Sequence, residues 1–229
     1  MDRAPGEGSG AVPNDAEERR RKYDVGADDY SERFADPKAI VDSYLRLLSS
    51  WGTPVRPGED VVELGCADGF ITLALARAGY RVTAVDLSPR MIEVARDRLG
   101  REGLDARFIV ADIREMDWTG SSSAVLGLMR SFFSYVEDPP SVLRAIARNA
   151  LKVLVDVDPR HTDLEVCETA VREAGFARVA HRPIFVPTRY RISPPVRAAL
   201  RAAEMTPGLR ALILRRKFLV VVKGEHDRS

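Results

Sequence analysis

The stretch VVELGCADGF, residues 61–70, decides the fold of this chain. Its first half is apolar, as in a buried strand, and its second half places glycines at 65 and 69 on either side of Ala67. Small residues let the backbone turn sharply and approach a bound molecule closely. The stretch therefore predicts either a turn that holds a nucleotide-like cofactor or simply the end of one buried strand in an α/β fold.

Strands and helices alternate along the rest of the chain. Val-, Ile- and Leu-rich runs predict strands at 61–64, 81–87, 106–112, 124–129, 152–157 and 217–223, with a further strand within 177–185. Helical spacing of apolar residues predicts helices at 39–51, 71–79, 88–100, 141–150 and 162–175. Ser88 is the predicted N-cap of one helix, with Pro89 in its first turn. The alternation predicts a parallel sheet with helices on both faces.

The regions outside this alternation have a different composition. Residues 1–14 are Gly, Pro, Ser and charged residues with almost nothing to bury, which predicts disorder. The segment 15–57 begins with a polar, helix-compatible run and is expected to be helical. Between the last two strands, residues 187–216 contain two Pro-bounded helical patterns and predict an insertion, either a lid or a homodimer surface. We expect residues 15–229 to form a single domain.

Composition and charge narrow the classes of function. The 229 residues carry 35 basic and 34 acidic side chains, and a net charge of +1 gives no general attraction to nucleic acid or anionic lipid. Cys66 and Cys167 are far apart, which argues against a zinc site or a disulfide framework. With no apolar run of about 18 residues and no signal peptide, we expect a cytoplasmic protein without a metal.

Acidic residues end the second and third predicted strands. In open α/β sheets, ligands bind outside the carboxyl ends of the strands. Asp86 lies 17 residues after Gly69, where a carboxylate can accept hydrogen bonds from both hydroxyls of a ribose. Asp112 can accept from an exocyclic amine, while Ile113 packs against a flat base. Three successive strand ends thus supply the polar groups that an adenosine needs.

These motifs resemble those of the class I S-adenosylmethionine-dependent methyltransferases. ELGCADG (63–69) is similar to the glycine-rich motif, VTAVDLSPRMIEVAR (82–96) to the acidic motif and VADI (110–113) to the adenine-contacting motif. The resemblance implies a Rossmann-like seven-stranded sheet of order 3-2-1-4-5-7-6, with an antiparallel last strand. It also implies S-adenosylmethionine as cofactor and S-adenosylhomocysteine as product.

The resemblance assigns cofactor roles residue by residue. The methionine moiety would lie near Glu63 and the turn at Gly65, Cys66, Ala67 and Gly69. The ribose would bind Asp86, with Leu87 and Met91 packed around the adenosine, and the adenine would face Asp112 and Ile113. Met129, at the end of the fourth strand, also belongs to the predicted cofactor set.

Two positions depart from the family pattern. Ala67 replaces the usual middle glycine, which we expect to be tolerated if this residue keeps a negative φ. Ser123 stands where small-molecule methyltransferases commonly open the fourth strand with an aspartate. A dinucleotide-dependent dehydrogenase fits less well, because Thr72 occupies the position of the third glycine in G-x-G-x-x-G.

The methyl acceptor is less well defined by the sequence. Strand four runs into MRSFFSY (129–135), which lacks the [DNS]-P-P-[YFW] motif of amino-directed nucleic-acid enzymes, and we interpret DPPS (138–141) as a helix start. Arg130, Phe132, Phe133 and Tyr135 either line an acceptor pocket or pack under the next helix. His161, after strand five, is the best-placed general base, although loop histidines are often inert.

The stretch YDVGADDYSERF (23–34) resembles the family's amino-terminal segment that folds over the cofactor. Tyr23 and Tyr30 either contact the sulfonium or the acceptor, or serve helix packing, and Arg33 would meet the cofactor carboxylate. With His161, Tyr30 is the candidate catalytic residue, and Tyr23 and Arg33 are candidate cofactor residues. We therefore expect a methyltransferase that acts on a small molecule in natural-product biosynthesis, with O-methylation ahead of N-methylation. The alternatives are a non-methylating enzyme that uses the same cofactor, such as a cyclase, and a cofactor-binding regulatory partner protein.

Overall fold

The computed structural model describes residues 16–34, 37–50, 54–116, 122–127, 138–147, 150–157, 164–174, 176, 179–183, 193–205 and 219–223. In these residues the helices are α1 (Ala16–Asp24), α2 (Pro37–Ser50), α3 (Phe70–Arg77), α4 (Pro89–Gly100), α5 (Pro139–Ala147), α6 (Leu164–Glu173) and α7 (Pro194–Met205). The strands are β1 (Asp60–Leu64), β2 (Arg81–Asp86), β3 (Arg107–Val110), β4 (Ser122–Gly127), β5 (Ala150–Val157), β6 (Val179–Pro183) and β7 (Leu219–Lys223). A short 3-10 helix spans Tyr30–Arg33.

The strands form one sheet of order β3-β2-β1-β4-β5-β7-β6. The first five of these are mutually parallel, which confirms the predicted parallel α/β sheet of order 3-2-1-4-5. β7 pairs antiparallel with both β5 and β6. Leu64 is level with Val85 of β2 and with Gly127 of β4, so the carboxyl ends of the central strands meet at one edge. The strand order reverses between β1 and β4, which is where open α/β sheets bind ligands.

Helices cover both faces of the sheet, because alternate strand residues point to opposite sides. On one face, Val61 of β1 belongs to a buried cluster with Leu48 of α2 and Leu75 of α3. On the other face, Leu64 belongs to a cluster with Leu143 of α5 and with residues of α6. Burial on both sides explains the almost continuous apolar character of the predicted strands.

The predicted helix ends are largely confirmed. The Ser88 side chain accepts a hydrogen bond from the backbone N–H of Met91 at 3.0 Å, with Pro89 as the first residue of α4. Gly79 follows α3 with φ +86°, a conformation that favours glycine. Before α5, Asp138 accepts from the backbone N–H of Ser141 at 3.1 Å, which confirms that DPPS starts a helix.

Several predicted boundaries differ from the structure. The helix predicted at 141–150 ends at Ala147, because Ala150 is buried and pairs with Ser122 as the first residue of β5. β4 begins at Ser122 and ends at Gly127, two residues earlier than predicted at each end. β3 ends at Val110, so Asp112 lies in the turn that follows rather than in the strand.

The amino-terminal segment contributes α1 and α2, and α1 lies against α4. From the 187–216 insertion the structure describes α7, and the second predicted helix of that insertion lies outside the described residues, as do residues 1–14. The role of the insertion as a lid or a dimer surface stays a prediction. Within the described part of the chain, no helix has the length and apolar character needed to cross a membrane.

Candidate functional site

The turn after β1 has an unusual backbone. Gly65, Ala67 and Gly69 all adopt positive φ, at +69°, +49° and +73°. The backbone N–H groups of Gly65 and Cys66 both donate to the carbonyl oxygen of Val85, at 2.8 and 3.0 Å. These two bonds fix the turn against the end of β2, so the backbone of the turn is held in place at the carboxyl edge of the sheet.

Gly69 is required by packing as well as by conformation. A Cβ atom at this position would lie 2.6 Å from Cβ and 2.9 Å from Cα of Ala95. No other residue allows α3 to begin this close to α4. The glycine therefore sets the distance between the turn and the helix that follows the second strand.

Ala67 corrects one expectation from the sequence, because its φ is positive and not negative. A left-handed conformation costs a non-glycine residue roughly 1–2 kcal/mol. The surroundings hold it there: its backbone N–H donates to Oδ2 of Asp86 at 2.9 Å, and its methyl group is buried against Ala27 and Met91. The turn thus keeps its left-handed geometry with alanine in place of glycine, and the backbone of Ala67 is strained.

Asp86 is held by backbone donors on both carboxylate oxygens. Oδ2 accepts from Ala67, and Oδ1 accepts from the backbone N–H of Ser88 at 2.9 Å. The residue is only 9% exposed. Burial raises the pKa of the Asp86 carboxyl, while hydrogen bonds from the backbone of Ser88, Ala67 and Leu87 lower it in part. The carboxylate is therefore fixed in direction beside the glycine turn.

Glu63 is a buried acid in β1, level with Ala84 of β2, two residues before Asp86. Its Oε2 accepts from the hydroxyl of Thr72 at 2.6 Å. The pKa of Glu63 is raised to about 8, chiefly by burial and also by the nearby charges of Asp86 and Asp68, while the bond from Thr72 opposes the increase. The carboxyl is accordingly protonated at neutral pH, which limits the negative charge beneath the turn.

Asp112, after the third strand, is held by two arginines. Arg114 donates from Nε to Oδ1 at 2.9 Å and from Nη2 to Oδ2 at 2.6 Å, and Arg19 of α1 donates from Nη2 to Oδ2 at 3.3 Å. Burial by itself raises the pKa of Asp112, but the hydrogen bonds and charge of Arg114 and the charge of Arg19 lower it overall. Asp112 is thus a firmly ionised acceptor.

The 23–34 segment lies on the glycine turn. Ala27 is fully buried against Ala67 and Met91, with Tyr23 and Tyr30 packed around them. The ring of Tyr30 also contacts Phe34 edge-to-face, with 5.6 Å between centroids. The structure therefore brings both predicted tyrosines to the turn.

Polar contacts fasten this segment to the site. The backbone N–H of Ser31 donates to Oδ2 of Asp68 at 3.1 Å, and Arg98 of α4 donates to the same oxygen at 2.5 Å. At the end of α1, Oδ1 of Asp24 accepts from the hydroxyl of Ser88 at 2.5 Å. The segment is thus joined both to the turn and to the helix that follows Asp86.

The predicted cofactor residues are only partly described. The structure brings together Glu63, Gly65, Cys66, Ala67, Gly69, Asp86 and Met91, places Leu87 beside Asp86, and packs Ile113 with Leu64 and Val85 in the core. For Arg33 the backbone alone is described. The remaining predicted residues lie outside the described residues and stay predictions: Met129, Arg130, Phe132, Phe133, Tyr135 and His161.

Sequence reasoning missed several residues that contact the site. Thr72 entered only as an absent glycine, although its place in α3 turns its hydroxyl to Glu63. Asp68 was visible inside the turn, but its partners in the 23–34 segment and in α4 were not. Arg19 stands in a charged run with no apolar periodicity, so nothing in the pattern distinguishes it from its neighbours.

Comparisons with known proteins show sequence similarity to methyltransferases over the strands that form this site. A family of methyltransferase domains matches residues 61–155. The ubiquinone biosynthesis O-methyltransferase of Xanthomonas oryzae is 32% identical over 93 residues, covering 40% of this chain and 38% of that protein. The carboxy-S-adenosyl-L-methionine synthase of Chromohalobacter salexigens is 38% identical over 98 residues, covering 40% of this chain and 34% of that protein. The match thus spans less than two fifths of each of these relatives.

A solved structure matches over nearly the whole chain. The magnesium protoporphyrin IX methyltransferase of Synechocystis, in a structure with bound S-adenosylmethionine, has a TM-score of 0.66 and 19% identity, with 94% of this chain and 100% of that chain covered. At this identity the likeness shows the fold alone. Residues 61–155 are therefore similar to methyltransferase domains, and the chain shares its Rossmann-like fold with the Synechocystis enzyme.

Proposed function

We propose that this protein binds S-adenosylmethionine at the carboxyl edge of the sheet and transfers its methyl group to a small-molecule acceptor, with oxygen favoured over nitrogen. The observation that carries the proposal is the position of Asp86. Its carboxylate is fixed beside a left-handed glycine turn by the backbone N–H groups of Ala67 and Ser88. A buried carboxylate can bind the ribose of the cofactor, and the adjacent turn, where small residues leave the backbone accessible, can bind its amino-acid moiety.

The described residues fit this cofactor. The backbone N–H groups of Ala67, Ser88 and Leu87 donate to Asp86, and because a carboxylate has about four lone-pair sites it can still accept from a ribose. The turn at Gly65 presents backbone to the methionine moiety, and Asp112 faces the adenine amine. Two buried polar atoms have no hydrogen-bond partner in the part of the chain that the structure describes, Nε of Arg19 and Oδ1 of Asp68. Both belong to residues around the same site, as expected where a polar ligand binds.

Methyl transfer from a sulfonium requires mainly that the reacting atoms are aligned and that water is excluded from the site. S-adenosylmethionine supplies a methyl group activated by its sulfonium. An in-line displacement depends on how the reacting atoms are positioned. Tyr23, Tyr30 and Ala27 cover the turn and exclude water from it. The raised pKa of Glu63 favours its neutral form, which keeps a further negative charge away from the site.

The acceptor side of the proposal rests on the sequence. A hydroxyl acceptor loses a proton during methylation, and we assign its removal to His161, after β5. Arg130, Phe132, Phe133 and Tyr135 are the proposed acceptor-pocket residues. Oxygen is favoured because the Xanthomonas relative is named an O-methyltransferase, at 32% identity over 93 residues.

A second candidate is a non-methylating enzyme that uses the same cofactor. It is favoured by the 38% identity, over 98 residues, to a carboxy-S-adenosyl-L-methionine synthase. Because such chemistry alters the cofactor itself, it would consume S-adenosylmethionine without adding a methyl group to an acceptor.

Two measurements separate these functions. Calorimetry should detect S-adenosylmethionine binding to the wild-type protein and its loss in Asp86→Ala. Incubation with a panel of phenols, carboxylic acids and amines, followed by mass spectrometry, should give a methylated product together with S-adenosylhomocysteine. A modified cofactor without a methylated acceptor would support the second candidate, and a wild-type protein that binds no cofactor would refute both.

A further inference from the structure

The guanidinium of Arg19 is buried although it is only partly satisfied. Its side chain is 7% exposed, and Nη2 lies 3.3 Å from Oδ2 of Asp112. Its Nε has no hydrogen-bond partner within the described residues. A buried N–H of a charged group is unfavourable unless it meets an acceptor. Within the described residues, Arg19 therefore has a buried N–H that an acceptor on a bound molecule could satisfy.

Asp112 does not need Arg19 to stay in place. The side chain of Arg114 donates from Nε to Oδ1 at 2.9 Å and from Nη2 to Oδ2 at 2.6 Å. Its backbone N–H also donates to Oδ1, at 3.0 Å. The contact from Arg19 is the longest of the set. Arg114 thus anchors both oxygens of Asp112, and the long contact from Arg19 can give up its place on Oδ2 to a donor of a ligand while Arg19 serves a second partner.

Both residues lie next to the proposed ribose position. The backbone N–H of Ala111 donates to the carbonyl oxygen of Asp86 at 3.0 Å, so Asp112 follows directly on a residue joined to Asp86. The helix that carries Arg19 is fixed to the same region, since Asp24 at its end accepts from the hydroxyl of Ser88. A base attached to a ribose at Asp86 would therefore extend toward Asp112 and Arg19.

The two side chains together match one edge of adenine. Adenine presents an exocyclic amine, a donor, next to a ring nitrogen, an acceptor. We propose that Arg19 is a specificity-determining residue for the cofactor, with its Nε–H donating to a ring nitrogen of adenine while Asp112 accepts from the amine. This inference rests on the proposed function and extends it to a residue outside the three sequence motifs. A hypoxanthine would place a carbonyl oxygen against the Asp112 carboxylate and be rejected.

The inference is tested with ligands that lack single acceptors. S-adenosylhomocysteine and its 1-deaza, 3-deaza and 7-deaza analogues, each with one ring nitrogen replaced by carbon, are titrated calorimetrically into wild type, Arg19→Gln and Arg21→Gln. Arg21 is a matched control on the same helix, with a side chain 71% exposed. Arg19→Gln should weaken S-adenosylhomocysteine binding roughly tenfold to a hundredfold, and Arg21→Gln should leave it unchanged. For one deaza analogue, the loss caused by Arg19→Gln should disappear.

The outcomes distinguish this inference from the proposed function. Equal losses for all four ligands in Arg19→Gln would mean that Arg19 acts only as structure, and would overturn the inference while leaving the function in place. If the wild-type protein binds none of the ligands, the proposed function itself fails. Arg19→Lys keeps the positive charge beside Asp112 but lacks Nε, and serves if Arg19→Gln does not fold. It should show the same selective loss.

Discussion

The backbone N–H of Ala67 donates to Oδ2 of Asp86 at 2.9 Å, across 19 residues of sequence. This bond joins the glycine turn after β1 to the acid that ends β2. Because Asp86 also accepts from the backbone of Ser88, the turn, the acid and the start of α4 form one unit. A change in the backbone at position 67 is therefore expected to alter cofactor binding through Asp86.

The strain at Ala67 can be measured with a pair of substitutions. Ala67→Gly relieves the left-handed conformation but loses a buried methyl group, so we expect a stability within about 1 kcal/mol of wild type. Ala67→Val introduces a β-branched residue at φ +49° and should destabilise by more than about 2 kcal/mol. Urea unfolding measures both. Equal stabilities of the glycine and valine variants would contradict the left-handed conformation.

Asp86 should determine cofactor affinity more than fold. Asp86→Asn preserves the shape of the side chain but weakens its acceptor strength, and each lost charged hydrogen bond is worth about 1.5–3 kcal/mol. We expect S-adenosylmethionine binding to fall at least tenfold in calorimetry. Asp105→Asn, which alters an exposed acid between α4 and β3, is the control and should bind as wild type. Undiminished binding by Asp86→Asn would remove the ribose assignment.

Glu63 gives the protein a pH-dependent stability term. Its pKa is about 8 in the folded protein, against an ordinary value of 4.5. Between these values the folded state holds a proton that the unfolded state has lost, so stability falls as pH rises toward 8. Glu63→Gln keeps an acceptor for Thr72 and does not titrate. Urea unfolding at several pH values from 5 to 8 should therefore show wild type losing stability relative to Glu63→Gln, and a constant difference would contradict a raised pKa.

The sequence predicted the parts of the site that local pattern determines. Buried strands, the Ser88 cap and the spacing from Gly69 to Asp86 leave signals within about 20 residues, because strand ends and helix starts have characteristic residues. The φ of Ala67 was predicted with the wrong sign. An alanine in place of a glycine suggests an ordinary negative φ, unless the hydrogen-bond partner of the alanine N–H is known. That partner, Asp86, becomes visible only when β1 and β2 lie side by side.

Contacts between distant segments left no such signal. Arg19 and Asp112 are 93 residues apart, and Lys152 reaches a carbonyl 105 residues away. A charged residue in a polar run, or a lysine at the start of an apolar run, is ordinarily exposed. Only the packing of α1 on α4, and of α2 on the sheet, buries these two side chains.

Lys152 is expected to hold α2 on the sheet. Its buried Nζ donates to the carbonyl oxygens of Leu47 and Leu48, at 2.8 and 3.0 Å, in the last turn of the helix. Lys152→Met leaves both carbonyls without this donor and should destabilise by about 1–3 kcal/mol. Lys38→Met, at an exposed lysine in the first turn of α2, is the control and should have little effect.

The same lysine predicts a pH dependence of opposite sign to that of Glu63. Burial lowers the pKa of Lys152 from 10.5 to about 8. Between these values the unfolded state binds a proton that the folded state has released, so wild-type stability should rise with pH relative to Lys152→Met. Unfolding midpoints at pH 7, 8, 9 and 10 measure this difference. A difference that shrinks with rising pH would contradict the buried position of the amine.

The ion pair of Asp68 and Arg98 should fasten the 23–34 segment to the glycine turn. Asp68 is fully buried, and its Oδ2 also accepts from the backbone N–H of Ser31. Arg98→Gln leaves the buried carboxylate without a charged partner, whereas Asp68→Asn leaves no buried charge. Removing one partner of a fully buried ion pair can cost about 3–5 kcal/mol of stability. Because Arg98 is partly exposed, this range is an upper limit for the loss in Arg98→Gln.

We therefore expect Arg98→Gln to destabilise more than Asp68→Asn, and the double variant to recover part of the loss. Trypsin should cleave Arg98→Gln faster than wild type after Lys22 and Arg33, at the two ends of the segment, because the segment opens more often when Ser31 loses its fixed acceptor. Mass spectrometry identifies the cleavage sites, and saturating S-adenosylmethionine should slow cleavage if the segment closes over the cofactor. Equal cleavage rates in the two proteins would mean that Asp68 and Arg98 stabilise the turn without holding the segment that covers it.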